Sequence, residues 1–122
     1  MIQKPWGYED IFAHTDKYAG KILFVKKGHQ LSLQYHRLKD ETIYVAEGQI
    51  ALEMAGINSQ MSKGESIRIK PGTRHRIRGI EDSFLFEVST PELDDVVRIT
   101  DDYGRSGGQD GATTGKEAQV TG

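Results

Sequence analysis

Apolar residues in this chain recur at alternate positions, in short runs cut by glycine. Ile67-Arg68-Ile69 and Arg76-Ile77-Arg78 alternate cleanly between apolar and charged, the period of a strand with one buried face. Residues 21–27, 31–36, 42–47, 49–54, 66–70, 74–78, 83–89 and 96–100 share this β-rich character. Glycines at positions 28, 48, 56, 64, 72 and 79 punctuate them, close to the roughly 8–12-residue rhythm of a sandwich or barrel. Residues 46–49 and 61–65 read as hairpin turns. Only residues 91–95 suggest a short helical turn, and no internal repeat is visible. The pattern predicts an all-β, single-domain barrel over residues 1–103. Residues 104–122 are Gly, Ser, Thr, Gln and charge, with Val120 as their one large apolar side chain. They bury too little to offset their ordering entropy, so a flexible appendage or linker is expected there.

Composition narrows the picture. A chain of 122 residues makes one domain and can bury a core without staples. A net charge of -2 suggests neither nucleic acid nor an anionic membrane as partner. With no cysteine, disulfides and thiolate ligands are excluded. No signal-peptide pattern and no apolar run of about 20 residues is present, so a soluble cytoplasmic protein is expected.

The chemistry concentrates in Gln34, His36, Glu41 and His75. Gln34 and His36 are two apart in a strand-like run, so they share one face. Glu41 follows across the polar turn 37–40, and His75 comes just after Pro71-Gly72. Strands pairing around that turn, joined by a later one, would bring the four side chains to one point as a metal cage. Two imidazoles, a carboxylate and an amide oxygen suit Zn, Mn, Fe, Co or Ni. His14 and His29 fall in loop-like contexts and are expected at the surface. Arg76 and Arg78 are expected to face solvent, Trp6 to pack on the barrel, and Glu92, Asp94 and Asp95 to form a solvated turn.

Set in order, the residues read Gly28-x5-Gln34-x-His36-x4-Glu41-x6-Gly48, then Gly64-x6-Pro71-Gly72-x2-His75. This resembles the two motifs of the cupin superfamily, with Gln34 where the first histidine usually stands and Lys70 where the second motif usually has its proline. Lys4-Pro5-Trp6-Gly7, Leu31-Ser32-Leu33-Gln34 and the closing Asp95-Val96-Val97-Arg98-Ile99-x-Asp101-x-Tyr103-Gly104-Arg105 extend the resemblance over residues 4–105. They look like the C-terminal domain of type II mannose-6-phosphate isomerases, which is often fused to a mannose-1-phosphate guanylyltransferase. Gln in place of the first histidine fits that family. Nothing in the chain looks like the nucleotide loop of the transferase half.

The resemblance implies a cupin-type jelly roll holding one divalent ion, zinc by default, and aldose–ketose isomerisation of a sugar or sugar phosphate. Lys39 and Arg105 are the implied catalytic residues, with Arg105 ranked first for the phosphate. Arg37, Arg74 and Arg98 complete the substrate-binding pool, since arginine suits bidentate phosphate contact. The base is left open among Lys39, Glu87 and a ligand carboxylate. Two other readings stand beside this one: a non-catalytic, metal-containing sugar-binding or regulatory module, and a metal-dependent dioxygenase. A homodimer is expected, formed through a sheet edge or by swapping residues 1–10.

Overall fold

A computed structural model describes residues 1–103 of the chain. Eleven strands form two antiparallel sheets, and no helix occurs among the described residues. One sheet has six strands in the order β1-β2-β3-β10-β5-β8: β1 (Ile2–Lys4), β2 (Gly7–His14), β3 (Ala19–Val25), β10 (Ser83–Ser89), β5 (Glu41–Glu47) and β8 (Ser66–Ile69). The other runs β11-β4-β9-β6-β7: β11 (Val97–Thr100), β4 (Leu33–Tyr35), β9 (His75–Gly79), β6 (Gln49–Met54) and β7 (Ile57–Ser62). The all-β expectation holds. Residues 91–95 form a turn, not a helix.

Alternation explains the core. In β5 the residues Glu41, Ile43 and Val45 point inward, and in β10 Ser83, Leu85 and Glu87 do so. Leu23, Val25, Ile43, Val45, Ile50, Leu52, Ile69 and Leu85 fill the space between the sheets, with Trp6 at 0 % exposure. Each buried aliphatic side chain contributes about 1.5–3 kcal/mol of transfer free energy. Trp6 therefore packs inside, as its position suggested.

Both expected hairpins are something else. Residues 46–49 join β5 of one sheet to β6 of the other, and residues 61–65 carry β7 across to β8. The true tight hairpins are β1–β2, with Lys4 opposite Gly7, and β6–β7, with Met54 opposite Ile57. A glycine turn shows where the chain bends; which sheet receives the next strand is decided by which face must be buried. At the first crossing Gly48 has φ +92°, and an added Cβ would lie 2.4 Å from Ser83 Oγ and 2.5 Å from the Asp82 carbonyl. Ser83 Oγ donates to the Gln49 carbonyl at 3.1 Å and accepts from the Gln49 N–H at 3.0 Å. The crossing is thus tied to the start of β10.

Two polar residues expected at the surface are structural. Arg76 is half-buried and donates to the carbonyls of Leu31 at 3.0 Å and Thr100 at 3.2 Å. His29 is half-buried, with Nδ1 2.9 Å from the Tyr103 hydroxyl. His14 is exposed, as expected.

Candidate metal centre

Three segments meet at one end of the barrel. β4 turns Gln34 inward, where it is 3 % exposed, and strand pairing sets it opposite His75 of β9. His36 follows β4 directly, Glu41 is the first residue of β5, and His75 is the first of β9. Alternation therefore delivers all four to the inner face, and each is buried.

The two rings have a fixed orientation. His36 Nδ1 is bonded to the Asp95 carbonyl at 2.5 Å, and His75 Nδ1 to the Thr73 carbonyl at 2.9 Å. A carbonyl only accepts, so Nδ1 carries the proton on each ring and the Nε2 atoms face inward. Glu41 Oε2 lies 3.6 Å from His36 Nε2 and 3.3 Å from His75 Nε2. The ligand-capable atoms of His36, Glu41 and His75 all lie within 4.8 Å of one another. His36 Nε2 is buried with no hydrogen-bond partner. Glu41 Oε2 and the two Nε2 atoms, one of them orphaned, share one buried space, and this donor set fits a divalent metal ion. Gln34 is contiguous with the trio; its amide oxygen accepts from Ser32 Oγ at 3.1 Å.

Lys39 lies inside the barrel beside this group, at 0 % exposure. Its ammonium is 2.7 Å from Glu87 Oε2 and 3.0 Å from Glu41 Oε1. Glu41 Oε1 makes no well-angled hydrogen bond, so the contact is an ion pair. Burial opposes the Lys39 charge, but Glu87 and Glu41 outweigh it and raise the ammonium above the usual lysine range. Burial likewise opposes ionisation of Glu41, yet the Lys39 ammonium beside it holds its carboxyl well below the usual range.

Behind Lys39 the buried charges continue. Glu87 stands opposite Lys21 across β10 and β3, and Lys21 Nζ is 3.4 Å from Glu9 Oε1. Burial lowers the Lys21 ammonium. The sequence reading did not single out Glu9 or Lys21. Lys21 shares the alternate positions of Leu23 and Val25, and that period was the available signal.

The loop 90–96 closes one side of the site through Asp95. Its carboxylate accepts from the backbone N–H groups of Arg37 at 3.0 Å, Leu38 at 2.6 Å and Lys39 at 2.9 Å. Partial burial works against the Asp95 charge, but these three donors leave its carboxyl below the usual range. Asp95 is therefore an anchor, where a solvated turn was expected.

The cationic pool is split. Arg98 of β11 is 5 % exposed and pairs in register with Gln34, so it shares the inner face. Arg37 and Arg74 are exposed. Arg74 lines an outer cleft of about 510 Å³ with Leu33, Glu53 and Thr73; the metal-ligand candidates do not line it. Arg105 lies outside the described residues.

Comparison with known proteins shows the family and the fold. The family described as mannose-6-phosphate isomerase C-terminal matches residues 1–101. A mannose-1-phosphate guanylyltransferase of Escherichia coli (strain K12) is 36 % identical over 109 residues, covering 85 % of this chain and 23 % of its own length. The chain thus spans about a quarter of that relative. Among solved structures, KdgF from Halomonas sp. superposes with a TM-score of 0.67 at 22 % identity, over 73 % of this chain and 82 % of that one. An RmlC-like cupin from Shewanella frigidimarina NCIMB 400 gives 0.63 at 16 % identity, over 68 % and 74 %. These likenesses show the fold, and the family match shows the lineage: the chain is a cupin-type jelly roll belonging to the mannose-6-phosphate isomerase C-terminal family.

Proposed function

We propose that the barrel is a metal-dependent aldose–ketose isomerase domain acting on a sugar phosphate of the mannose-6-phosphate kind. The observation that carries this reading is the convergence of His36 Nε2, His75 Nε2 and Glu41 Oε2 on one buried point, in a chain of this family. His36, Glu41 and His75 would hold the ion, with Gln34 as fourth ligand; zinc is the default, and Mn, Fe, Co or Ni fit the same donors. When bound, a divalent ion there supplies Lewis-acid polarisation of a sugar carbonyl and its neighbouring hydroxyl.

The chain's own groups supply the rest. Lys39 is held as an ammonium by Glu87 and Glu41, so it does not serve as the base. The base is Glu87, on the same inner face, or a ligand carboxylate: it takes the proton from the carbon beside the carbonyl and returns it to the neighbouring carbon, while the hydroxyl proton passes to the former carbonyl oxygen. Arg98, beside Gln34, and Arg105 bind the phosphate, with Arg37 and Arg74 at the rim.

The test is a coupled assay with mannose 6-phosphate on the metal-loaded chain. Isomerisation abolished by a chelator and restored by a divalent ion is the expected result. A loaded chain that binds sugar phosphate without turning it over removes the isomerase reading and leaves a metal-containing binding module.

A further inference from the structure

Lys39 occupies a place that a site built only for a tight grip on a cation would not give to an ammonium. A fixed positive charge beside a divalent ion repels it, and in a buried setting that repulsion is poorly screened. The ammonium cannot swing away. It is fully buried, 2.7 Å from Glu87 Oε2 and 3.0 Å from Glu41 Oε1, and leaving would strand two buried carboxylates. Glu87 is supported in turn by its place opposite Lys21, which bonds Glu9 at 3.4 Å. Glu41 thereby has two unlike oxygens: Oε1 engaged by Lys39, and Oε2 between the two imidazoles at 3.3 and 3.6 Å.

We propose that Lys39, braced by Glu87, is a positioning residue that holds Glu41 to one-oxygen ligation and so keeps a coordination position open for an exogenous ligand. A carboxylate free of such a partner can chelate through both oxygens and fill that position itself. Catalytic metal sites differ from closed structural ones in keeping such a position. The inference rests on the metal-centre reading, but not on the isomerase reaction.

Cobalt(II) serves as the probe, because its visible absorption is several-fold stronger in four- or five-coordinate sites than in six-coordinate ones. The test compares the wild-type chain with Lys39→Met and with the charge-balanced Lys39→Met/Glu87→Gln, with circular dichroism confirming that each is folded. Losing Lys39 removes a buried charge that repels the ion as well as an orienting contact, so a folded variant is expected to bind cobalt about tenfold more tightly by chelator competition, with a several-fold weaker visible band. Lys39→Arg, which retains the cation, is expected to keep most of the wild-type band. An unchanged spectrum and affinity in a folded variant overturns the proposal.

A structure of the cobalt-loaded wild-type chain decides the matter even if neither methionine variant folds. Glu41 is expected to offer the ion Oε2 alone, with Oε1 still on Lys39; chelation through both oxygens overturns the proposal. Failure of the wild-type chain to bind cobalt at all is a distinct outcome that overturns the metal-centre reading together with it.

Discussion

At the residue scale, the behaviour of the site follows from where protons sit on two imidazoles. Carbonyls of Asp95 and Thr73 hold the Nδ1 protons of His36 and His75, so the Nε2 atoms are the ones that face inward. Replacing either ring by alanine removes a ligand outright. Loss of a group that merely orients a ligand weakens metal binding about 10–100-fold, so His36→Ala and His75→Ala are each expected to weaken it by at least about a hundredfold. Gln34→Ala should do less. Metal analysis after dialysis checks the series, and full occupancy in the double-histidine variant would remove the site from consideration.

At the element scale, two connections determine whether the strands arrive in register. The first is Asp95, which ties loop 90–96 to the backbone of residues 37–39. Replacement by asparagine keeps one acceptor oxygen and loses the charge, and should cost about 1 kcal/mol, the size of a lost side-chain cap. The depressed carboxyl sets the sign of the pH dependence. Its contribution is fully present above the ordinary value of 3.8 and fades as pH falls through the lower folded value. The stability gap between wild type and Asp95→Asn in urea should therefore be level from about pH 5 to 8 and narrow below about pH 4. The second connection is the β5–β6 crossing. Gly48→Ala places a Cβ against Ser83 and the Asp82 carbonyl at positive φ, and should destabilise the fold by about 1–3 kcal/mol or more. Thermal denaturation measures it; an unchanged midpoint would mean that the crossing relaxes without strain.

At the scale of the whole molecule, the six-stranded sheet carries buried charges among the apolar residues of its inner face and a cluster of apolar side chains on its outer one. Glu9, Lys21, Glu41 and Glu87 face the interior, while Ile22, Phe24, Phe84, Phe86, Val88 and Tyr44 occupy the outer face of β3, β10 and β5. Phe86 and Val88 are 42 % and 55 % exposed. Apolar patches of this kind mark interaction surfaces. Burial of this face would be one route to the expected homodimer, beside a sheet edge or a swap of residues 1–10. Light scattering should then show a dimer for the wild type and a monomer for Phe86→Asp; a wild-type monomer ends the proposal. A chain ending at residue 103 tests Arg105 separately. It should keep the thermal midpoint of the full chain and bind sugar phosphate more weakly, and equal affinity would take Arg105 out of the phosphate site.

Much of this was readable along the chain, and the divide between what was and was not has a physical origin. Alternation is local, so the inner face of the strands, the all-β class and the shared face of Gln34 and His36 follow from the order of residues alone. The spacing of His36, Glu41 and His75 among glycine turns pointed to a metal cage before any geometry was known. The destination of each strand was not local. Residues 46–49 and 61–65 look like hairpins, yet both cross between sheets, because burial of a common core selects the partner. The role of Lys39 was equally hidden, since a lysine in a polar turn becomes a buried cation only when Glu87, 48 residues away, arrives opposite it. Asp95 reads as solvated until loop 90–96 folds against residues 37–39. Sequence by itself determined the pattern of faces and the set of ligand-capable residues; tertiary structure alone decided which oxygens, nitrogens and charges share one enclosed space, because those contacts join segments that carry no local signal of each other.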